Sequence, residues 1–206
     1  MIYEFRTYTL TVGSLREFLK RFEEGYEHRK KYSALAAFWY TDIGPLNQVI
    51  HVWPYADAAE RDRVRDESVK DPNWPPKVHE FIVSQESEIV IPSAFAPEIK
   101  PGNAGPIFEM RYYQAKPGGA IHQAMKTTEA ALAPRLEHSS LAFAGYTEHG
   151  SLNKYIHIWP YESLNARADI RKKVVEMGIW PPKGGGGNWL SQANKIMLAA
   201  PFSPIQ

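Results

Sequence analysis

The chain has 206 residues, 44% of them hydrophobic and 23% charged, with 24 Lys and Arg against 23 Asp and Glu. That length suits one large domain or two small ones, and the balanced charge argues against a nucleic-acid partner, whose phosphates require a basic excess or stripe. No cysteine is present, which excludes disulfides, thiolate catalysis and zinc–thiolate sites.

The opening, MIYEFRTYTL, lacks the basic start and apolar run of a secretory signal. No apolar run approaches the roughly 20 residues that span a bilayer. A cytoplasmic protein without a membrane span is expected. Tyr3–Tyr8 is aromatic and β-branched and reads as a strand. Ser14 and Glu17 form an S-x-x-E capping box. Behind it Leu15, Phe18, Leu19, Phe22 and Tyr26 recur at helical spacing. Leu35–Thr41 and Val49–Trp53 read as two further strands, joined at Asp42–Asn47 by a hairpin containing Gly44-Pro45. Asp57 and Glu60 start a second helix, which Trp74-Pro75-Pro76 is expected to end. Glu88–Ile91 is a last strand.

The pattern then repeats. Thr41–Tyr55, TDIGPLNQVIHVWPY, aligns with Thr147–Tyr161, TEHGSLNKYIHIWPY, with nine of 15 positions identical. At the same offset Arg61 meets Arg167, Arg65 meets Arg171, and Trp74–Lys77 meets Trp180–Lys183. Ile2–Arg6 meets Ile107–Arg111, Ser163 replaces Asp57, and Lys195–Leu198 matches Glu88–Ile91. The stretch Pro92–Pro106 is rich in Pro and Gly. Two modules are expected, 1–95 and 107–206, with 96–106 as linker. The order β-α-β-β-α-β is ferredoxin-like. Such a unit leaves one sheet face bare, so the fold class is α+β, with two tandem modules closing into a barrel with helices outside. Halves of one chain, or of two chains in a homodimer, could supply the pairing.

The opening YEFRTYTLTVGSLREF, the HVWPY strand followed by Arg61, and NWPPK together resemble the NIPSNAP family. The second copy is looser, with FEMRYYQAKPGG at its start and Pro134 interrupting its first helix. The resemblance implies the dimeric α+β-barrel superfamily. It implies no settled enzymatic activity; animal members are associated with mitochondria and protein interactions and carry a targeting segment not read here. The wider superfamily includes cofactor-independent monooxygenases, haem-degrading enzymes and isomerases, which raises the expectation of a ligand in the barrel lumen.

Strand alternation groups the repeated residues. Glu4, Arg6 and Tyr8 share a face, as do His51 and Trp53, with Ile50 and Val52 opposite. Placing the aliphatic side under the helices turns Glu4, Arg6, Tyr8, His51 and Trp53 into the lumen. Glu109, Arg111, Tyr113, His157 and Trp159 follow from the second copy. Such a lining could bind a small acidic or aromatic molecule and support acid–base chemistry through imidazole. The competing reading is structural: Glu4–Arg6 a self-satisfied buried pair, His51 donating to a backbone carbonyl, and the protein a non-catalytic interaction partner. No H-x-H pair, H-E-x-x-H helix, nucleophile elbow or nucleotide fingerprint occurs, so neither metal nor cofactor is expected. The run Gly184–Gly187 lacks the residues of a phosphate loop and reads as a flexible flap over a barrel mouth. Arg61 and Arg65, with Arg167 and Arg171, share helix faces and read as solvated or paired with Asp57, Asp62 and Asp169.

Overall fold

A computed structural model describes residues 1–206. The repeated sequence folds twice into the same elements. The first copy gives β1 (Ile2–Leu10), α1 (Leu15–Arg29), β2 (Ala37–Ile43), β3 (Gln48–Tyr55), α2 (Ala58–Ser68) and β4 (Ile82–Pro92). The second gives β5 (Ile107–Ala115), α3 (Ala120–Leu136), β6 (Phe143–His149), β7 (Lys154–Tyr161), α4 (Leu164–Glu176) and β8 (Trp189–Ala199). Both modules are β-α-β-β-α-β, as expected from the pattern.

Local chemistry sets the ends. Asp57 accepts the Glu60 amide at 2.8 Å, and Ser163 accepts that of Ala166 at 3.0 Å, so α2 and α4 each gain a partner for an orphan N–H. Ser14 departs from expectation: its hydroxyl donates to the Thr11 carbonyl at 2.7 Å and caps nothing. Helix α2 ends at Ser68, before the Trp-Pro-Pro segment. Pro134 lies inside α3 rather than interrupting it; near the C-terminal end the distortion it brings reaches few following turns. Strands β4 and β8 begin at Ile82 and Trp189, earlier than the expected Glu88 and Lys195; their first halves are mostly exposed and carry no buried alternation that would mark a strand.

All strand pairs are antiparallel, and the order β1-β3-β2-β8-β5-β7-β6-β4 closes on itself. The seams join the modules: β2 pairs with β8 through Thr41↔Met197, and β4 with β6 through Ile91↔Tyr146. The barrel therefore closes within one chain.

The lumen is filled. Tyr3, Phe5, Trp39, Ile50, Val52 and Val90 meet Phe108, Met110, Phe143, Ile156, Ile158 and Met197 in one buried cluster. Eight strands leave an interior just wide enough for side chains to occupy. This overturns the expected orientation. Glu4, Arg6, Tyr8, His51 and Trp53, with Glu109, Arg111, Tyr113, His157 and Trp159, point outward beneath the helices. The reason lies in α1, whose Phe18, Phe22 and Tyr26 form an aromatic face that packs with Tyr8, Phe38 and Trp53. Aromatic rings suit aromatic neighbours, while the β-branched Ile50 and Val52 fill the narrow barrel.

Candidate functional site

Each module carries a cleft between the outer sheet face, the helices and the Trp-Pro-Pro loop. The first, of about 300 Å³, is lined by Arg6, Tyr8, His51 and Trp53 from β1 and β3, by Arg29 and Arg65 from α1 and α2, and by Trp74. The second, of about 340 Å³, uses Arg111, Tyr113 and His157, Arg135 and Arg171, and Trp180. The strand register makes this possible. Arg6 stands opposite His51 and Glu4 opposite Trp53, as Arg111 does His157 and Glu109 does Trp159, and opposed residues of an antiparallel pair share a face.

A buried carboxylate lies under each cleft. Glu4 Oε1 accepts from Arg6 at 2.9 Å, Arg61 at 2.7 Å and Ser87 at 2.8 Å, with Arg65 at 3.8 Å. Burial alone would raise its pKa; the Arg61 hydrogen bond and the Arg6 charge outweigh that and hold the carboxyl at about 2. Glu109 repeats the arrangement with Arg111, Arg167, Asn194 and Arg171, and its pKa is likewise lowered against the pull of burial. Arg61 also reaches Asp62 at 2.8 Å, so the expected surface pairing is only half of its role. Arg6 Nε donates to the Tyr8 hydroxyl at 2.9 Å.

Arg29 is held differently. It donates to Ser33 Oγ at 2.8 Å and to Tyr55 Oη at 3.2 Å, and its guanidinium sits 4.5 Å from the Trp53 ring centroid. Arg135 matches it, with Ser139, Tyr161 and a Trp159 ring at 4.4 Å. Neither has a carboxylate among these partners. Each cleft thus presents three guanidiniums above one carboxylate, an excess of positive charge in a desolvated setting.

The histidines are neutral. Trp53 Nε1 donates to His51 Nδ1 at 2.7 Å, as Trp159 does to His157; the expected bond from His51 to a backbone carbonyl is absent. With Nδ1 accepting, the ring proton is assigned to Nε2, and both Nε2 atoms are buried without a partner. Burial, then the Arg6 charge, pulls the pKa of His51 well below the ordinary value; burial, then Arg111, pushes His157 down to about 3.

Of the candidate residues, Glu4 and Glu109 lie beneath the clefts, and Trp159 packs on Trp180 at 5.9 Å instead of lining its cleft. Sequence reading missed Arg29, Arg135, Tyr55 and Tyr161 as a set, although each pair recurs at the 106-residue offset that relates the copies. Gly185 and Gly186 border the second cleft, so the glycine run lies over a helix-side site and not over a barrel mouth. Nowhere do three His, Asp or Glu side chains converge as a metal site, and no helix is long and apolar enough to cross a membrane.

A closed antiparallel barrel of two β-α-β-β-α-β halves belongs to the dimeric α+β-barrel class of folds. A candidate monooxygenase from Fusobacterium nucleatum shares this fold at a TM-score of 0.66 and 10% identity, over 97% of this chain and 92% of that one. The NIPSNAP family profile matches twice, over residues 3–97 and 108–204, and the chain belongs to that family. It is 30% identical to protein NipSnap homolog 3A of Homo sapiens over 100% of its length and 86% of that protein. With protein NipSnap homolog 3B of Mus musculus the identity is 33% over 99% and 85%.

Proposed function

We propose that the protein binds a small aromatic carboxylate, one per module, in the clefts beneath the helices. The observation that carries this reading is the surplus of guanidinium over carboxylate in two clefts walled by Trp53 with Trp74, and by Trp180 with Trp189. Arginine forks suit a carboxylate, and indole faces suit a flat ring. The unpartnered Nε2–H of each histidine favours an oxygen-bearing ligand.

Monooxygenase- or isomerase-like chemistry needs a base. Nδ1 of each histidine already accepts from an indole, so imidazole is a poor proton acceptor here, and the reading supported best is binding. The alternative, an interaction protein with a structural barrel, draws on the filled lumen.

Calorimetry with naphthalene-2-carboxylate on the whole chain separates the two. Two sites are expected, weakened at least tenfold by combining Arg65→Gln with Arg171→Gln, and weakened again by salt. Equal affinity for the neutral naphthalene amide, or no binding at millimolar concentration, overturns the proposal.

A further inference from the structure

Across the sheet from the clefts, one end of the lumen is not closed by apolar side chains. Above Phe5, Met110 and Ile156 a cavity of about 230 Å³ is bordered by Gln48, Glu86, Glu88, Tyr112, Lys154 and Lys195. These polar groups come from five strands of both modules, at the ends of the rows whose inner members fill the barrel. Lys154 of β7 pairs with Glu88 of β4 at 2.5 Å, across the intervening β6. The repeat places Lys195 where the first copy has Glu88, and Gln48 where the second has Lys154. One junction therefore carries an ion pair and the other does not.

Lys195 is 7% exposed. Its Nζ donates to the neutral Gln48 Oε1 at 2.7 Å and lies 5.5 Å from the Tyr112 ring centroid. Gly44, at φ +114°, packs on its stem so closely that any Cβ there would sit 3.1 Å from Lys195 Cβ. An ammonium carries three donors, and burying it beside one neutral acceptor favours the uncharged amine. Burial lowers its pKa to about 8, aided by the Lys154 charge and opposed by Glu86 and Glu88.

We propose that Lys195 is an amine nucleophile that condenses reversibly with a small aldehyde held in the lumen-mouth cavity. The Nζ lone pair forms the C–N bond as the carbonyl electrons move to oxygen. A proton passes through water from nitrogen to that oxygen, giving a carbinolamine. Loss of water leaves an imine, and its protonation yields an iminium beside Glu86 and Glu88. No oxidant or cofactor is consumed. The cavity is smaller than the roughly 300–1,000 Å³ typical of drug-sized ligands, and its floor is apolar, which together favour a short alkyl aldehyde.

The test is reductive trapping on the whole chain: butanal with sodium cyanoborohydride near pH 7, followed by digestion and mass spectrometry. Lys195 should be alkylated on the order of tenfold faster than exposed Lys20, because lowering the pKa from the ordinary ~10.4 raises the free-amine fraction steeply. Its rate should level off above pH 8, and its advantage should vanish in urea. Gln48→Glu, which supplies a carboxylate partner, should slow Lys195 severalfold while keeping the amine. Lys195→Arg should remove the adduct. Alkylation no faster than at Lys20 in the folded chain, or a rate unmoved by Gln48→Glu, overturns the proposal.

Discussion

Trp53 donates its indole N–H to Nδ1 of His51 at 2.7 Å, and Trp159 does the same for His157. The bond fixes each imidazole as the Nε2–H tautomer and occupies the lone pair that protonation would use. Unfolding releases both rings to water, where a histidine titrates near ~6.5. Folded His157 titrates at about 3 and His51 is also strongly lowered. Between these limits the unfolded chain binds more protons, so stability is full above pH ~6.5 and declines as pH falls towards 3. His157 contributes on the order of a few kcal/mol to that decline, and His51 adds to it in the same direction. Urea midpoints measured from pH 7 to 4 should fall steadily, and His51→Phe with His157→Phe should flatten the slope. A midpoint independent of pH in this window refutes the buried neutral rings.

Glu4 acts in a lower window. With its carboxyl held at about 2 against an ordinary ~4.3, the stability it adds is present above pH ~4.3 and is lost as pH drops through 2. Glu4→Gln leaves Arg6 without its anion and Arg61 with only Asp62. Removing one partner of a buried pair costs about 3–5 kcal/mol; the lower end is expected, because both arginines keep some contact with water. Glu17→Gln, at a solvent-exposed i,i+4 pair with Arg21, should cost far less, because water screens the pair. Chemical denaturation of both variants checks the contrast, and similar losses would mean that burial of Glu4 is not decisive.

How far these features could be read from the sequence depends on what each signal encodes. Period-2 alternation grouped Arg6 with Glu4 and His51 with Trp53, and the strand register confirms both groupings. It could not say which group faces the lumen, because both faces of this sheet are buried and Ile50 suits either one. The deciding partner, the Phe18–Phe22–Tyr26 face of α1, is a tertiary feature. Closure within one chain was equally hidden, since Thr41↔Met197 joins positions with no local signal. The early start of β4 escaped because Ser84–Ser87 are polar and exposed. The clefts were half legible: the repeat marked Arg65 and Arg171 as a pair, while Arg29 with Arg135 needed the Trp53 and Trp159 rings beside them to gain meaning.

Phe143 tests whether the lumen is core. Fully buried on β6, it meets Tyr3 of the other module edge-on at 5.0 Å and Phe5 at 5.3 Å. Phe143→Ala should cost about 3–5 kcal/mol through lost burial and the void left behind. For a chain of this length that lowers the melting temperature by about 2–4 °C per kcal/mol. Val12→Ala, at an exposed position, should change it little. A melting temperature within a degree of the parent for Phe143→Ala would mean that the lumen is loosely filled.

The seam between modules has its own requirement. Gly145 of β6 lies against β4 so closely that a Cβ would stand 2.6 Å from the Ile91 carbonyl oxygen and 2.9 Å from Val90 Cγ1. A carbonyl in a paired strand cannot retreat without breaking its ladder, so Gly145→Val must push β6 away from β4. The cost exceeds ordinary overpacking, about 1–3 kcal/mol, because Tyr146↔Ile91 and Pro92↔Gly145 separate together. An opened barrel presents two unpaired strand edges, which pair readily with other chains. Gly145→Val should therefore elute from size exclusion as larger species, and amide exchange should speed up at Val90 and Ile91 more than at Val52, which lies on β3, two strands round the barrel from β4. Retention of the parent elution volume with unchanged exchange at Val90 would show that the seam yields without opening.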